Sequence, residues 1–597
     1  MSPARAETPI RAQRTWRVER ADTVSLESLD DLFADVSVRT ELRHPLATLL
    51  AQRNLYDSAA MRRFLDPGDR TLHDPGLLPD AAGLIARLRT AGADGEPVLV
   101  VGDFDADGLT GAAIIIRALR AIGAVAEGFI PSRDADGHGI PEGALDAAVE
   151  DGVELLIAVD CGTADTERVA QALDKGILVG IIDHHAVPDD PAKATWLVNP
   201  NRRDAAYPFP HLAGSGLAFK IAQGILADHP DRREILGELS VLAMIGGIAD
   251  MVPVADEFRV IVRSALKVLN GRGRTPLGVR ALLTVARAEG PYRVDVVGYT
   301  LAPRINAAGR IGDARPALEL LTTDDEAEAV ERAAELERLN EERRERSREA
   351  IDAARGTLSA ESTGALDLSR GGILPGLVFV RGDWSPGVIG LVASRLAEEY
   401  ARPALVGSVP DGAEDAALVR CSIRAPRGYS VASALGSIGD QLDRHGGHDG
   451  AGGCAFPLGR WNDVTTALAS RFGAQRELGE PLLTVDLEPA VGIRSLDALA
   501  ALVDYLAPTG QGNPDPLFLF RSVPLEQVRL VGDGRHARLT ITIDGQRTEA
   551  IAFGRPDAAG HDGARIDLVA RIVQRTFNRA PKTELHIVDL RTAEVPE

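Results

Sequence analysis

Three carboxylates fall within five residues in Asp103-Phe104-Asp105-Ala106-Asp107-Gly108, directly after the apolar run 98–101 (VLVV). Charges so close repel unless something positive neutralises them, and a divalent cation is the usual answer. An EF-hand loop opens with the same spacing. It also needs a bidentate Glu at its twelfth position, where Ile114 stands, and a helix before it instead of an apolar run. Alone, the motif fits a solvated acidic turn as well as a metal site. Two further apolar runs end the same way: 155–159 (LLIAV) leads into Asp160-Cys161-Gly162, and 177–182 (ILVGII) into Asp183-His184-His185. A fourth acid, Asp250 in GGIAD, follows the apolar segment 239–245. Carboxylates with imidazole suit Mn²⁺ or Mg²⁺ better than the thiolate-rich sites of structural zinc. So acidic a cluster suits two ions roughly 3.5–4 Å apart, which activate water and stabilise in-line displacement at phosphorus.

The elements behind these residues are short apolar runs alternating with helical patterns from about residue 80 to 250, the signature of parallel strands with helical crossovers. In such a sheet the carboxyl ends of the strands line the ligand crevice, so the acids and histidines are predicted to converge there. Ahead of this domain (81–322), residues 1–80 carry patchy helical pattern broken by Pro67, Pro75 and Pro79, and are expected to pack on it as an extension. A long polar helix is predicted over 323–356, with Thr323 and Glu326 as capping box, a stripe of Val330, Ala333, Leu336 and Leu339, and Gly356 as stop. A second α/β segment follows (370–478), with LVFV at 377–380, a helix through 388–400 and ALV at 404–406. From about 481 the period becomes two, Leu539, Ile541 and Ile543 alternating with polar residues before Asp544-Gly545 turns the chain. Residues 481–597 are therefore expected to form a small antiparallel barrel or sandwich.

A length of 597 residues allows roughly four domains. No run approaches the eighteen or so apolar residues of a membrane span, and the arginines near the N-terminus precede no apolar stretch, so a cytoplasmic protein without membrane function is expected. Cys161, Cys421 and Cys454 lie too far apart for a disulfide framework or a CxxC zinc cluster. The net charge of −21 argues against indiscriminate polyanion binding, yet residues 521–597 carry +1.

Taken together, DFDADG, the Asp160 motif, DHH at 183–185 and Asp250 resemble motifs one to four of the DHH phosphoesterase superfamily. Longer strings, LAPRINAAGRIGDA (301–314), WSPGVIGLVASRLAEEYARP (384–403), GGHDGAGG (446–453) and PTGQGNPDP (508–516), resemble its RecJ branch of single-strand-specific exonucleases. The resemblance implies 5′→3′ degradation of single-stranded DNA by a parallel-sheet DHH domain and a second α/β DHH-associated domain, joined by a long helix, with a C-terminal all-β OB-fold. It further implies that Asp105, Asp107, Asp160, His184 and Asp250 ligate two Mn²⁺ or Mg²⁺ ions, with His185 beside them, Asp103 accessory and His448 at the scissile phosphate. Arg133, Ser422 and Arg424 match positions that hold a 5′-terminal phosphate, and Arg304, Asn306 and Arg310 a motif lining the substrate path. A helicase and a single-strand-binding protein are the partners implied. The β module is expected to grip the strand, with Arg538, Arg575, Phe577 and Arg579 as contributors. Three positions depart from the family pattern: Ser385 stands where His is common, Gly452 where Ala is usual, and Cys161 where Asn is common. Two other readings are a superfamily phosphoesterase for short oligonucleotides, cyclic dinucleotides or pyrophosphate, and a binding scaffold with a dead centre. The former would need no OB module, and the latter would not retain every ligand.

Overall fold

The computed structural model describes residues 15–19, 33, 37–66, 68, 71–133, 136–360, 369–475, 482–490, 492–577 and 580–593. The chain divides into two compact units, one of residues 1–302, 318–330 and 480–597, the other of 303–317 and 331–479.

In the first unit, five parallel strands form a sheet in the order Val125–Phe129, Pro97–Gly102, Leu155–Val159, Leu178–Ile182, Trp196–Val198. Leu155–Val159 is buried at every residue, as a strand covered by helices on both faces must be, which is why its sequence is uninterrupted apolar. The helix Ala106–Ala121 comes close enough that a Cβ on Gly111 would lie 2.7 Å from Val159 Cγ1. Pro97–Gly102 and Leu155–Val159 are adjacent, and the chain leaves them toward opposite flanks of the sheet. Their carboxyl ends therefore flank the topological switch point where doubly wound sheets bind ligands.

The C-terminal part of this unit is a closed barrel in the order Phe518–Val531, His536–Ile543, Gln546–Ala552, Ala580–Thr592, Arg565–Phe577. Its Asp544-Gly545 turn has φ of 48° and 77°, the left-handed pair a tight hairpin of right-twisted strands requires. Residues 71–80 pack on the sheet domain, the His73 carbonyl accepting from Lys220 Nζ and the Asp80 carboxylate from the Leu197 N–H, whereas residues 37–65 depart from the expectation of an extension packed there. Leu42, Leu46, Leu49, Leu50 and Met61 share one core with the helix Leu496–Leu506 and the barrel, and Thr15–Val18 pairs in parallel with Leu482–Val485. Buried Arg259 fastens these pieces to the sheet domain, donating to the carbonyls of Phe64, Leu506, Ala507 and Pro508 at 2.7–3.2 Å. Arg53 donates to Asn513 Oδ1 and the Pro514 carbonyl, so the PTGQGNPDP string is a structural junction.

In the second unit a six-stranded sheet runs Arg444–Gly447, Ala451–Pro457, Leu418–Arg424, Ala404–Ser408, Leu377–Gly382, Gly371–Leu374. Only the pair bridged by the helix Pro386–Tyr400 is parallel. That helix and the later part of Glu326–Ala360 cover one face through Val392, Leu396, Ala354 and Leu358, and Trp461–Gln475 covers the other. The long helix differs from expectation at both ends. Asp325, not Thr323, is the cap, its carboxylate accepting from the Glu328 N–H at 2.8 Å, while Thr323 Oγ1 accepts from the Asp325 N–H and donates to Glu328. Gly356 is helical and the helix continues to Ala360. No helix among the described residues is long and apolar enough to cross a membrane.

Candidate metal centre and phosphate-facing residues

Asp105 caps the helix Ala106–Ala121, its Oδ1 accepting from the Asp107 and Gly108 N–H groups at 2.9 and 3.2 Å. Gly108 must be glycine, since a Cβ there would sit 2.5 Å from the Asp103 nitrogen. Asp107, one residue into the helix, points at the start of a second helix, Gly214–Ile225: Oδ2 accepts from the Gly214 N–H at 2.6 Å, and Oδ1 from the Ser215 N–H and Oγ–H at 3.1 and 2.5 Å. Asp160 takes the left-handed conformation at φ 63°, which turns the chain sharply off its strand. Asp183 faces back: its Oδ1 accepts from the His184 and His185 N–H groups and from His185 Nδ1 at 2.7 Å. It thus orients the histidines.

His184 Nε2 lies 3.1 Å from Asp160 Oδ1, 3.7 Å from Asp250 Oδ2 and 3.9 Å from Asp107 Oδ2. Three overlapping donor groups result, Asp160 with His184 and His185, Asp107 with His184 and Asp250, and Asp103 with Asp105 and Asp160. Within each, the ligand atoms fall within 4.8 Å of one another. The electrostatics call for cations. Burial, then Asp103 and Asp107, pushes Asp105 up to about 6. Burial, then Asp107 and Asp105, takes Asp250 to about 7 and holds Asp160 well above the usual carboxylate range. The hydrogen bond to Asp183 raises His185 to about 9. Burial opposes ionisation of Asp183, yet His185 drives it below the usual range. Asp103 Oδ1 is buried with no hydrogen-bond partner among the described residues, Asp160 Oδ1 is buried with only the histidine nitrogens beside it, and an all-oxygen and imidazole set fits Mn²⁺ or Mg²⁺. Cys161 is a buried thiol pushed up by burial and the surrounding carboxylates, and so stays neutral.

Sequence reasoning passed over several residues that hold this centre. Ser215 and Gly214 clamp Asp107. Gly246 leaves room for it. Asn199 donates to Thr163 Oγ1 and the His185 carbonyl, and Asn201 to the His184 carbonyl, fixing the histidine loop. The only available signals were small residues at helix starts and the string VNPN after a strand. Beside the centre, Arg133 Cζ lies 3.9 Å above the Phe104 ring, and His138 packs on the same ring while its Nδ1 stands 3.2 Å from Asp103 Oδ2.

In the second unit, Ser422 and Arg424 alternate on one face of their strand, Arg424 Nη1 donating to Ser422 Oγ at 3.0 Å. A Cβ on Gly390 would come within 3.2 Å of Arg424 Nη2 and 3.3 Å of Ser422 Oγ, so the helix Pro386–Tyr400 packs directly on this pair. Burial, then the positive charge of Arg310, lowers the Arg424 pKa. Asn306 and Arg310 are four apart on the helix Ala302–Ile311 and share a face, and Arg310 donates to the Gly387 carbonyl at 3.1 Å. Arg304, by contrast, spends its guanidinium fork on Glu337 of the long helix. His448 sits at the tip of the hairpin between Arg444–Gly447 and Ala451–Pro457, closed by its own N–H to the Ala451 carbonyl at 2.8 Å. The departures have local reasons here. A methyl on Gly452 would lie 2.7 Å from Val431 Cγ1, and Ser385 caps its helix by accepting from the Gly387 N–H.

A doubly wound parallel sheet whose strand ends gather carboxylates and imidazoles around its switch point defines a metal-dependent phosphoesterase of the DHH type. In chain order the DHH family N-terminal domain matches residues 97–247, the DHHA1 domain 375–473 and the RecJ OB domain 488–589. The chain is 31% identical to the single-stranded-DNA-specific exonuclease RecJ of Bacillus subtilis, over 98% of this chain and 72% of that one. It also resembles crystal structures of Thermus thermophilus RecJ with Mn²⁺ (TM-score 0.76, 27% identity, covering 98% of this chain and 80% of that one) and with Mg²⁺ (TM-score 0.72, 27% identity, 97% and 79%). The chain belongs to the RecJ family.

Proposed function

We propose that the protein degrades single-stranded DNA from the 5′ end, releasing mononucleotides by hydrolysis at two divalent cations, Mn²⁺ or Mg²⁺. The observation that carries this reading is the convergence of Asp105, Asp107, Asp160, His184 and Asp250 at the strand ends, in a chain that also bears the RecJ OB domain. These five residues hold the ions and His185 stands beside them. Bound cations of this kind supply an activated water and charge stabilisation for an in-line displacement. The side chains prepare the site. Asp183 fixes the orientation of His185, Ser215 and the Gly214 N–H fix both oxygens of Asp107, and bound cations would favour the charged forms of Asp105, Asp160 and Asp250, whose pKa values burial raises.

Arg133, Ser422 and Arg424 hold the 5′-terminal phosphate, and this end recognition gives the polarity. Arg guanidiniums suit that task through paired charge-assisted hydrogen bonds. Asn306 and Arg310 contact the strand, Arg304 holds their helix in place through Glu337, and His448 acts on the scissile phosphate. Such an enzyme needs a helicase to supply single strands, meets single-strand-binding protein on them, and works in the cytoplasm where the DNA is. Mn²⁺-dependent release of product from long single strands labelled at either end, from dinucleotides and from pyrophosphate tests the reading. Loss of the 5′ label first, on long strands, is expected. Exclusive turnover of dinucleotides or pyrophosphate would replace it with a small-substrate phosphoesterase.

A further inference from the structure

The barrel presents an aromatic and cationic row on its outer surface. Along His536–Ile543, Ala537, Leu539 and Ile541 point into the core, so His536 and Arg538 point out. Along Gln546–Ala552, Ala550 and Ala552 are inside, which puts Ile551 outside, with Phe553 just beyond. The registers align Arg529 with Arg538, Arg538 with Ile551, Ile551 with His586, and His586 with Arg571, a continuous outward row across all five strands. Next to it Phe553 is 46% exposed, unusual for a Phe in a chain with few aromatics. His536 and His586 stand 5.4 and 5.3 Å from its ring at 73° and 70°, so they brace it edge-on without covering it as a stacked ring would. His536 is itself fixed, its Nδ1 accepting from the Gly554 N–H at 2.9 Å.

The charges fit a phosphate chain. Arg538 is bound to Glu549 at 3.2 Å, whereas Arg529 and Arg571 are exposed and make no ion pair among the described residues. Of the residues expected to grip the strand, Arg538 is thus engaged elsewhere, and Arg579 and the side chains of Arg575 and Phe577 lie outside the described residues. A braced, open ring flanked by unpaired guanidiniums on the outer face of an OB barrel matches an unpaired nucleobase with its neighbouring phosphates. A duplex, whose bases are stacked inside, would offer the ring nothing.

We propose that Phe553, braced by His536 and His586, is a base-stacking platform for single-stranded DNA, with Arg529 and Arg571 contacting the flanking phosphates. The proposal rests on the single-strand reading given above. It is tested in the full chain, without divalent metal, by the anisotropy of a labelled thirty-nucleotide oligo-dT and of a matched strand with abasic sites throughout. Phe553→Ala is expected to weaken the oligo-dT complex on the order of 5- to 150-fold with an unchanged salt slope, while Phe553→Trp restores binding. The abasic strand should bind wild type and Phe553→Ala alike. Arg529→Ala with Arg571→Ala should flatten the salt slope by about 0.7 for each phosphate no longer neutralised. Equal oligo-dT affinities for wild type and Phe553→Ala, or equal weakening of both strands, would overturn the platform. A wild-type protein that binds single strands no better than duplex would overturn the substrate reading itself.

Discussion

Replacing Gly246 by alanine sets helix propensity against site geometry. Gly246 lies inside the helix Arg232–Ala249, where alanine is favoured by about 1 kcal/mol. Its new Cβ, however, would fall inside contact distance of Ser215 Oγ and Thr110 Oγ1 and 2.6 Å from Asp107 Oδ1. Restoring an ordinary contact of 3.4 Å takes a displacement of about 0.8 Å, and both oxygens of Asp107 are already held by Gly214 and Ser215. A misplacement of roughly 1 Å in a reacting constellation costs on the order of 10²-fold in rate, or about 2.7 kcal/mol of barrier. Overpacking costs about 1–3 kcal/mol of stability, partly offset by the gain in propensity, so the fold should survive. The control is Gly237→Ala in the same helix, whose Cβ would meet only Val268 Cγ2 at 3.6 Å. Initial rates on a 5′-phosphorylated single strand across a Mn²⁺ titration, with circular-dichroism melts of both variants, give the comparison. Rates for Gly246→Ala within threefold of Gly237→Ala at every Mn²⁺ concentration would refute the geometry.

Asp107→Ala should abolish Mn²⁺-dependent hydrolysis while keeping the helical circular-dichroism signal. Its melting point should fall, because the buried Gly214 and Ser215 donors are left without their acceptor at about 1–3 kcal/mol each. His448→Ala should lower single-turnover cleavage on the order of 10²–10⁴-fold with little change in strand affinity, measured by rapid quench and anisotropy; collapsed binding with normal saturated turnover contradicts the assignment. Asp105, Asp160 and Asp250 have carboxyls raised on folding, so in metal-free protein their contribution to stability is complete below about pH 4 and is lost as pH rises through about 6 and 7. The melting point in EDTA should therefore fall from pH 5 to 8, and Mn²⁺ should raise it more at pH 8 than at pH 5. A Mn²⁺ increment that shrinks with rising pH would show that these acids do not hold the ions.

The convergence of the candidate metal ligands was legible because their strands are buried on both faces and read as unbroken apolar runs, so the acids that end them stand out. The edge strand Val125–Phe129 and the three-residue Trp196–Val198 escaped notice, since the first is half-exposed and contains a glycine and the second is too short to show a period. The barrel was visible from its alternation, but its first strand, Phe518–Val531, was not, because irregularities in pairing interrupt its period. Amphipathic pattern in residues 40–65 indicates a buried face without naming what covers it. The sheet domain was the nearer candidate in sequence, and the barrel region is the actual partner. Ser215 and Glu337 could not be assigned from sequence, as each acts on a residue distant along the chain.

The shared core of residues 37–65 with the C-terminal region sets an order of events during synthesis. Leu42, Leu46, Leu49 and Leu50 leave the ribosome early, yet the helix and barrel that bury them are encoded some 450 residues later. At about 5–20 residues per second, that interval is roughly 25–90 s, during which the sheet domain can fold but an apolar face stays uncovered. The newborn chain is therefore exposed to aggregation at this face until the barrel strands arrive. Residues 37–65 and the barrel region are one folding unit, so removing the barrel strands uncovers apolar surface on residues 42–61.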